Sequence, residues 1–333
     1  YGNVINTEPK DMYLSRVAAV NAGVPVETPA LTVNRLCGSG AQAVVSAAQH
    51  LILGDADFAI AGGAEAMSRS PHAMQSVRTG HKMGDAKMVD MMIGALSDPF
   101  EGIHMGETAE NVAAEHQITR EDQDAFALAS QERATRAIAE GRFAGQIAPI
   151  EVKAGRETIV FDTDEHPKAN TTAEGLAGLR PAFRKDGTVT PGNASGINDG
   201  AAALVLATAT AAERRGLPAK ARLLGYAHAG VRPDVMGIGP IPAVTRLMEK
   251  TGLDVGDFDV VESNEAFAAQ ACAVNRALGL DPEKVNPNGG AIALGHPVGA
   301  TGAILVVKAI AEMERTGARY GLVTMCIGGG QGI

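Results

Sequence analysis

Apolar positions recur at helical spacing over residues 11–23, with Leu14, Val17, Ala18 and Val20 on one face, and stop at Gly23-Val24-Pro25. That spacing predicts a helix closed by the Gly-x-Pro sequence. A β-branched run, Leu31-Thr32-Val33, leads into Asn34-Arg35-Leu36-Cys37-Gly38-Ser39-Gly40, and an Ala-rich segment leads out to Leu53-Gly54. The order predicts a strand, a tight Gly-bearing turn and a buried helix. Phe58–Ala61 reads as a buried strand closed by Gly62-Gly63-Ala64-Glu65. After Gly200 the rhythm returns: strands over Ala201–Ala207, Ala221–Ala227, Phe258–Val261 and Tyr320–Met325, and helices over Thr210–Arg215, Ala243–Thr251, Ala266–Leu278 and Ala303–Arg315.

Between Met67 and about Ile197 the texture differs. Methionines cluster (Met67, Met74, Met83, Met88, Met91, Met92, Met105) among Gly, Ser and His with weak periodicity, which reads as an excursion from a layered fold. Within it, Glu107–His116 and Arg120–Glu140 read as helices, the second N-capped by Thr119 with acidic residues in its first turn and closed by Gly141. Ile147–Val152 reads as a strand. Residues 37–63 and 296–330 repeat one order, a Gly-bearing turn, helix, Gly, strand and Gly pair, so the chain is read as a duplicated α/β unit packed face to face.

Bulk composition narrows the class. With 45% hydrophobic and 20% charged residues over 333, the chain is globular and long enough for about two domains. Aromatics at 4%, no Trp and 40 Gly require a core of Ala, Val, Ile, Leu and Met at close backbone approach. A net charge of -9 argues against a nucleic-acid binder, which needs a basic face, but leaves room for an anionic small ligand. Three widely spaced cysteines fit a reducing compartment better than a disulfide scaffold, no apolar run reaches membrane-spanning length, and cytoplasm is expected. Neither end reads as a natural terminus. No Met opens the chain and it stops just after Gly328-Gly329-Gly330, so both ends are expected to continue.

Cys37 falls where the turn hands over to the helix. Free amides and the helix dipole there favour a thiolate. Its counterparts in the second half are Gly295-His296-Pro297 and the Gly-flanked Cys326, at strand ends where α/β folds place ligands. A Cys with a His is a nucleophile and base, and a second Cys can give and take a proton. Asn264, closing a strand beside Glu265, fits a helix N-cap or a donor to a carbonyl oxygen, the cap being the commoner role. Cys272 reads as core, and His50, His72, His81, His116, His166 and His228 read as surface or structural because they lack metal-site spacing. His104 fits a cap or loop contact as well as a substrate contact.

These segments together resemble the thiolases, and within them the bacterial biosynthetic β-ketothiolases (acetyl-CoA C-acetyltransferases). The resemblance covers essentially the whole chain. It rests on Asn34–Gly40, Ala61-Gly62-Gly63-Ala64-Glu65-Ala66-Met67-Ser68, His104-Met105-Gly106, Gly192-Asn193-Ala194-Ser195-Gly196, Asn264-Glu265-Ala266-Phe267-Ala268, Gly295-His296-Pro297-Val298-Gly299-Ala300-Thr301-Gly302 and Cys326–Gly332. It implies a thiolase-like α/β fold: an N-terminal half over 1–66, a loop domain covering coenzyme A over 67–197, a return over 198–217 and a C-terminal half over 218–333.

The resemblance also implies reversible condensation of two acyl-CoA molecules to 3-ketoacyl-CoA and CoA through an acyl-cysteine. Cys37 would be the nucleophile, His296 its base and Cys326 the group removing a proton from the second acetyl-CoA. The N–H groups of Cys37 and Gly328 would hold the oxyanion, and His296 with a water on Asn264 the enolate oxygen. Ser195 would touch the pantetheine arm, with Leu36, His104, Met105, Phe183, Ala266 and Phe267 lining the acyl and pantetheine pocket. Lys168 and Arg184 are candidates for the phosphates. Pro191 stands where relatives often carry Ala and would alter the pantetheine contact. CoA thioesters enter as substrates, with no separate cofactor, metal, nucleic acid or membrane. A homotetramer is implied, with contacts from 73–95, and acetyl and propionyl groups are the expected acyl chains. A β-ketoacyl synthase would pair its Cys with two His, a non-catalytic relative would lack Cys37, His296 or Cys326, and a dinucleotide-dependent dehydrogenase would carry a fingerprint absent from this chain.

Overall fold

The computed structural model describes all residues, 1–333. A short helix, α1 (Leu14–Asn21), precedes α2 (Ser39–Leu53) and β1 (Phe58–Ala66). The 67–197 stretch contributes α3 (Met105–Glu115), α4 (Arg120–Ala139) and a hairpin of β2 (Ile150–Ala154) with β3 (Glu157–Phe161). Then follow β4 (Asp199–Ala207), α5 (Ala209–Arg214), α6 (Pro240–Thr251), β5 (Val260–Ser263), α7 (Ala268–Leu278), α8 (Thr301–Thr316) and β6 (Gly321–Thr324).

Two helices form the middle of the molecule. α2 lies on β1 and against α8, and α8 also touches β4, β5 and β6. β1 pairs antiparallel with β4, Phe58 opposite Ala207, and β5 pairs parallel with β6, Val260 opposite Gly321. The helix pair is therefore sandwiched between two small sheets. A helix covered on both sides must be apolar nearly all round. Accordingly α2 buries Gly40, Ala41, Ala43, Val44, Val45, Ala48 and Leu51.

The seam between the helices is backbone against backbone. A β-carbon on Gly40 would come within 2.6 Å of the Ala303 nitrogen, and one on Gly302 within 2.2 Å of the Ala41 nitrogen. Glycine is the one residue that permits this approach. Both helices end in left-handed glycines, Gly54 (φ 82°) and Gly317 (φ 70°), before their strands. The repeated turn, helix, glycine and strand read from the sequence is present, and its two copies meet face to face.

The largest apolar cluster joins the 67–197 stretch to the second half: Met105, Val112 and Ile118 pack with Val235, Met236, Phe267 and Cys326. α4 begins with the expected Thr119 N-cap, which Asp122 completes into a capping box, and is followed by Gly141 at φ 69°.

Three expected strands differ. β1 runs on through Gly62-Gly63 to Ala66, and Ile60 on its outer face is half exposed. Gly63 is needed for close packing rather than for a turn, because a β-carbon there would overlap the Gly299 carbonyl oxygen. Of Leu31–Val33, Val33 alone makes a bridge, to Gly2. Residues 221–227 form no strand. The chain there has no ladder partner, and side chains take carbonyls nearby, Lys250 that of Tyr226 and Arg246 that of His228. No helix is long and apolar enough to cross a membrane.

Candidate active site

Cys37 stands one residue before the Gly38 cap of α2. Leu36, just before it, has φ 47°, a left-handed conformation that costs a non-glycine residue about 1–3 kcal/mol. Neighbouring side chains hold it there. Asn34 Oδ1 accepts from the Leu36 N–H at 3.0 Å, and Ser39 Oγ donates to the Leu36 carbonyl at 2.6 Å while accepting from the Arg35 N–H at 2.8 Å. Ser39 is fully buried, so its two bonds are sheltered, whereas the Asn34 bond lies at the surface.

The backbone N–H groups of Gly328 and of Cys37 itself favour the charged form of the Cys37 sulfur. The Cys37 residue keeps partial solvent access, whereas Cys326 is buried. Burial pushes the Cys37 thiol above its ordinary value, the two N–H groups pull it back in part, and the Glu65 charge pushes it further up. The expected thiolate is therefore corrected to a thiol, because desolvation outweighs the helix terminus. The Cys326 thiol is also pushed up, first by burial and then by Cys37. The two sulfurs thus lie within electrostatic reach of one another.

His296 is buried and held at three points. Its backbone N–H donates to Asn198 Oδ1 at 3.0 Å. Its Nδ1 lies 2.7 Å from Thr301 Oγ1, which donates its own proton to the Pro297 carbonyl at 2.9 Å. The hydroxyl has one proton to give, so towards His296 it accepts, and Nδ1 carries the hydrogen. The lone pair is thereby left on Nε2, which lies a long 3.4 Å from Asn264 Nδ2. Burial lowers the His296 pKa to about 4 and keeps the imidazole neutral. Asn264 is not a helix cap: α7 is capped at Phe267, and the Asn264 side chain turns to the imidazole.

Apolar and aromatic groups surround this centre. Leu36 and Met105 line the backbone at Gly328. Phe183 stacks on His104 with centroids 4.8 Å apart and meets Phe267 edge-on at 6.2 Å. His104 also caps α3, its Nδ1 accepting from the Gly106 N–H at 3.0 Å. The Ser195 N–H and Oγ both donate to the Ala266 carbonyl at 3.0 Å, and Ala194 bridges to Phe267. Beside that segment opens a cavity of about 260 Å³ lined by His166, Lys168, Asn170, Leu179, Pro191 and Ala194 among others. Arg184 is committed elsewhere, paired with Glu107 at 2.5 Å and bonded to Asn111 Oδ1 at 2.7 Å. Cys272 is half buried against the main apolar cluster, its thiol pushed up to about 12 by burial.

Three residues that hold the site escaped the sequence reading. Thr301 sits inside the quoted Gly295–Gly302 segment, but a hydroxyl at a helix start reads as a cap. Asn198 and Glu65 act on the His296 turn from 98 and 234 residues away.

Residues 1–210 match the description "Thiolase, N-terminal domain" and residues 217–333 "Thiolase, C-terminal domain". This chain belongs to the thiolase family. Among curated thiolases it is 61% identical to the beta-ketothiolase BktB of Cupriavidus necator over 100% of this chain and 85% of that protein. It is 54% identical to the acetyl-CoA acetyltransferase of Pseudomonas aeruginosa, over 96% of this chain and 82% of that protein. The crystal structure of the Bacillus anthracis acetyl-CoA acetyltransferase superposes with a TM-score of 0.97 at 48% identity, over 99% of this chain and 84% of that one. The human mitochondrial 3-ketoacyl-CoA thiolase in complex with CoA gives 0.96 at 45% identity, over 99% and 83%. The thiolase fold expected from the sequence is the fold observed.

Proposed function

We propose that this thiolase is an acetyl-CoA C-acetyltransferase that condenses two acyl-CoA molecules to 3-ketoacyl-CoA and CoA, reversibly, through an acyl group on Cys37. The observation that carries the reading is the geometry around His296, buried, held through Nδ1 by Thr301 at 2.7 Å with Asn264 3.4 Å from its Nε2, together with a Gly328 backbone packed against Leu36, the neighbour of Cys37.

In the first step Cys37 gives its proton to His296 Nε2 and its sulfur attacks the thioester carbonyl. The N–H groups of Cys37 and Gly328 receive the oxyanion, each such donor being worth about 3 kcal/mol of barrier. The C–S bond to CoA breaks, and Cys326 gives its proton to the departing thiolate. Cys326 is now a thiolate and takes a proton from the methyl carbon of a second acetyl-CoA. The enolate oxygen is held by the imidazolium and by a water on Asn264, whose buried Oδ1 has no protein partner. The carbanion attacks the acyl carbon, Cys37 leaves as thiolate and recovers its proton from His296. Every proton is returned, so the sequence runs equally in the direction of thiolysis.

The aromatic group of His104, Phe183 and Phe267, with Leu36, Met105, Ala266 and Ser195, is proposed to hold the acyl and pantetheine end. The cavity at Lys168 and Pro191 is proposed to take a further part of CoA, with 67–197 as its cover. The acetyl-CoA acetyltransferase name of a relative leads us to propose acetyl groups as acyl chains; propionyl groups, a homotetramer and a cytoplasmic enzyme are proposed on the resemblance of the sequence motifs alone. Brief incubation with acetyl-CoA followed by intact-mass spectrometry tests the core of the reading. One acetyl group on the parent and none on Cys37→Ser supports it. No acetyl group on folded parent protein sinks it.

A further inference from the structure

Glu65 is 4% exposed near the end of β1 and has no cationic partner. Its carboxylate is saturated by N–H donors instead. Oε2 accepts from the Val4 and Gly299 amides at 3.0 and 2.9 Å, and Oε1 from the Ile5 amide at 3.1 Å and Asn3 Nδ2 at 3.4 Å. Four donors and no acceptor suit an ionised carboxylate alone. Three of these donors come from residues 3–5. The fourth comes from the opposite half, inside the turn that runs from His296 to Thr301.

That turn sets the base. Ala300 N–H, Thr301 N–H and Thr301 Oγ1 all bond to the Pro297 carbonyl, which fixes the hydroxyl that orients His296. Asn198 grips the turn before His296 and Glu65 grips it at Gly299. The fit at Gly299 is tight: a β-carbon there would come within 2.5 Å of Glu65 Oε2. We propose that Glu65 is a positioning residue for acyl transfer, its carboxylate holding the Gly299 amide so that Thr301 keeps His296 Nε2 aimed at the site. This rests on the assignment of His296 as the base of the reaction proposed above.

A glutamine at 65 is isosteric but must turn its NH2 towards two of the four donors. The test measures single-turnover acetylation of Cys37 by acetyl-CoA in the full chain for the parent, Glu65→Gln, Thr301→Val and their combination, with melting temperatures alongside. A displaced base should slow acetylation by roughly tenfold or more. The half-saturating acetyl-CoA concentration should stay within about twofold of the parent, because Ser195, Phe183 and Phe267 are not held by Glu65. Once Thr301→Val has released the imidazole, adding Glu65→Gln should slow the reaction little further. A purely structural role predicts instead that the two losses multiply. If Glu65→Gln does not fold, Gly299→Ala breaks the same contact from the other side and is read the same way. Acetylation by a folded Glu65→Gln at the parent rate, or fully multiplicative losses, overturns the inference. Failure of the parent itself to acetylate would instead strike the proposed function.

Discussion

Replacing Thr301 with valine keeps the shape of the side chain and removes the one acceptor for His296 Nδ1–H. The Pro297 carbonyl keeps its bonds from the Ala300 and Thr301 amides, so the change falls on the imidazole. A buried donor without a partner costs about 1–3 kcal/mol. The imidazole escapes that cost by carrying its proton on Nε2, where the lone pair is needed for Cys37. At 1.4 kcal/mol per factor of ten, the useful tautomer falls by about tenfold to a hundredfold, and acetylation with it. The assay is rapid-quench intact-mass analysis of Cys37 acetylation, with Thr301→Ser as control because serine keeps the hydroxyl. Acetylation of Thr301→Val within twofold of the parent, or equal loss in Thr301→Ser, would refute the tautomer argument.

Other consequences are open to measurement. His296 titrates at about 4 in the folded chain against an ordinary 6.5. The unfolded chain therefore binds more protons between these values, and stability should fall as pH drops from about 6.5 to about 4, by up to about 3 kcal/mol. The drop in urea midpoint from pH 7 to pH 4.5 should be smaller in His296→Asn than in the parent, and equal drops would contradict the shift. Because burial raises the Cys37 thiol above its ordinary 9.0, its alkylation by iodoacetamide should keep accelerating beyond pH 9; a midpoint below 8 would restore the thiolate reading. Lys308 and Glu262 form a buried pair at 2.7 Å. Lys308→Met should cost about 3–5 kcal/mol in thermal melting, most of it recovered by adding Glu262→Met; no recovery would mean the cost is not electrostatic.

How much was legible follows from the range of each interaction. The α2 and α8 helices and their left-handed glycines were readable because spacing and caps are local. Cys37, His296 and Cys326 stand out as candidates because each interrupts a glycine-rich turn with a reactive side chain. The 221–227 run failed because a short apolar run predicts a strand but cannot supply a neighbour. The protonation of Cys37 was misjudged because a helix terminus is visible in sequence and the desolvation opposing it is not. Asn264 looked like a cap because its partner, His296, is 32 residues away. Glu65 carried no sign of its role, since all its donors are backbone amides or Asn3, brought up by the fold.

The glycine seam between α2 and α8 has a consequence for laboratory evolution. The proposed nucleophile and base, Cys37 and His296, belong to opposite halves, and those halves meet where main chain rests on main chain at Gly40 and Gly302. No rotamer intervenes there to be repacked. Libraries at Leu36, Met105, Phe183 or Phe267 should therefore redraw the acyl pocket while leaving the reacting groups in register. A single methyl group added at the seam should disable every acyl chain alike.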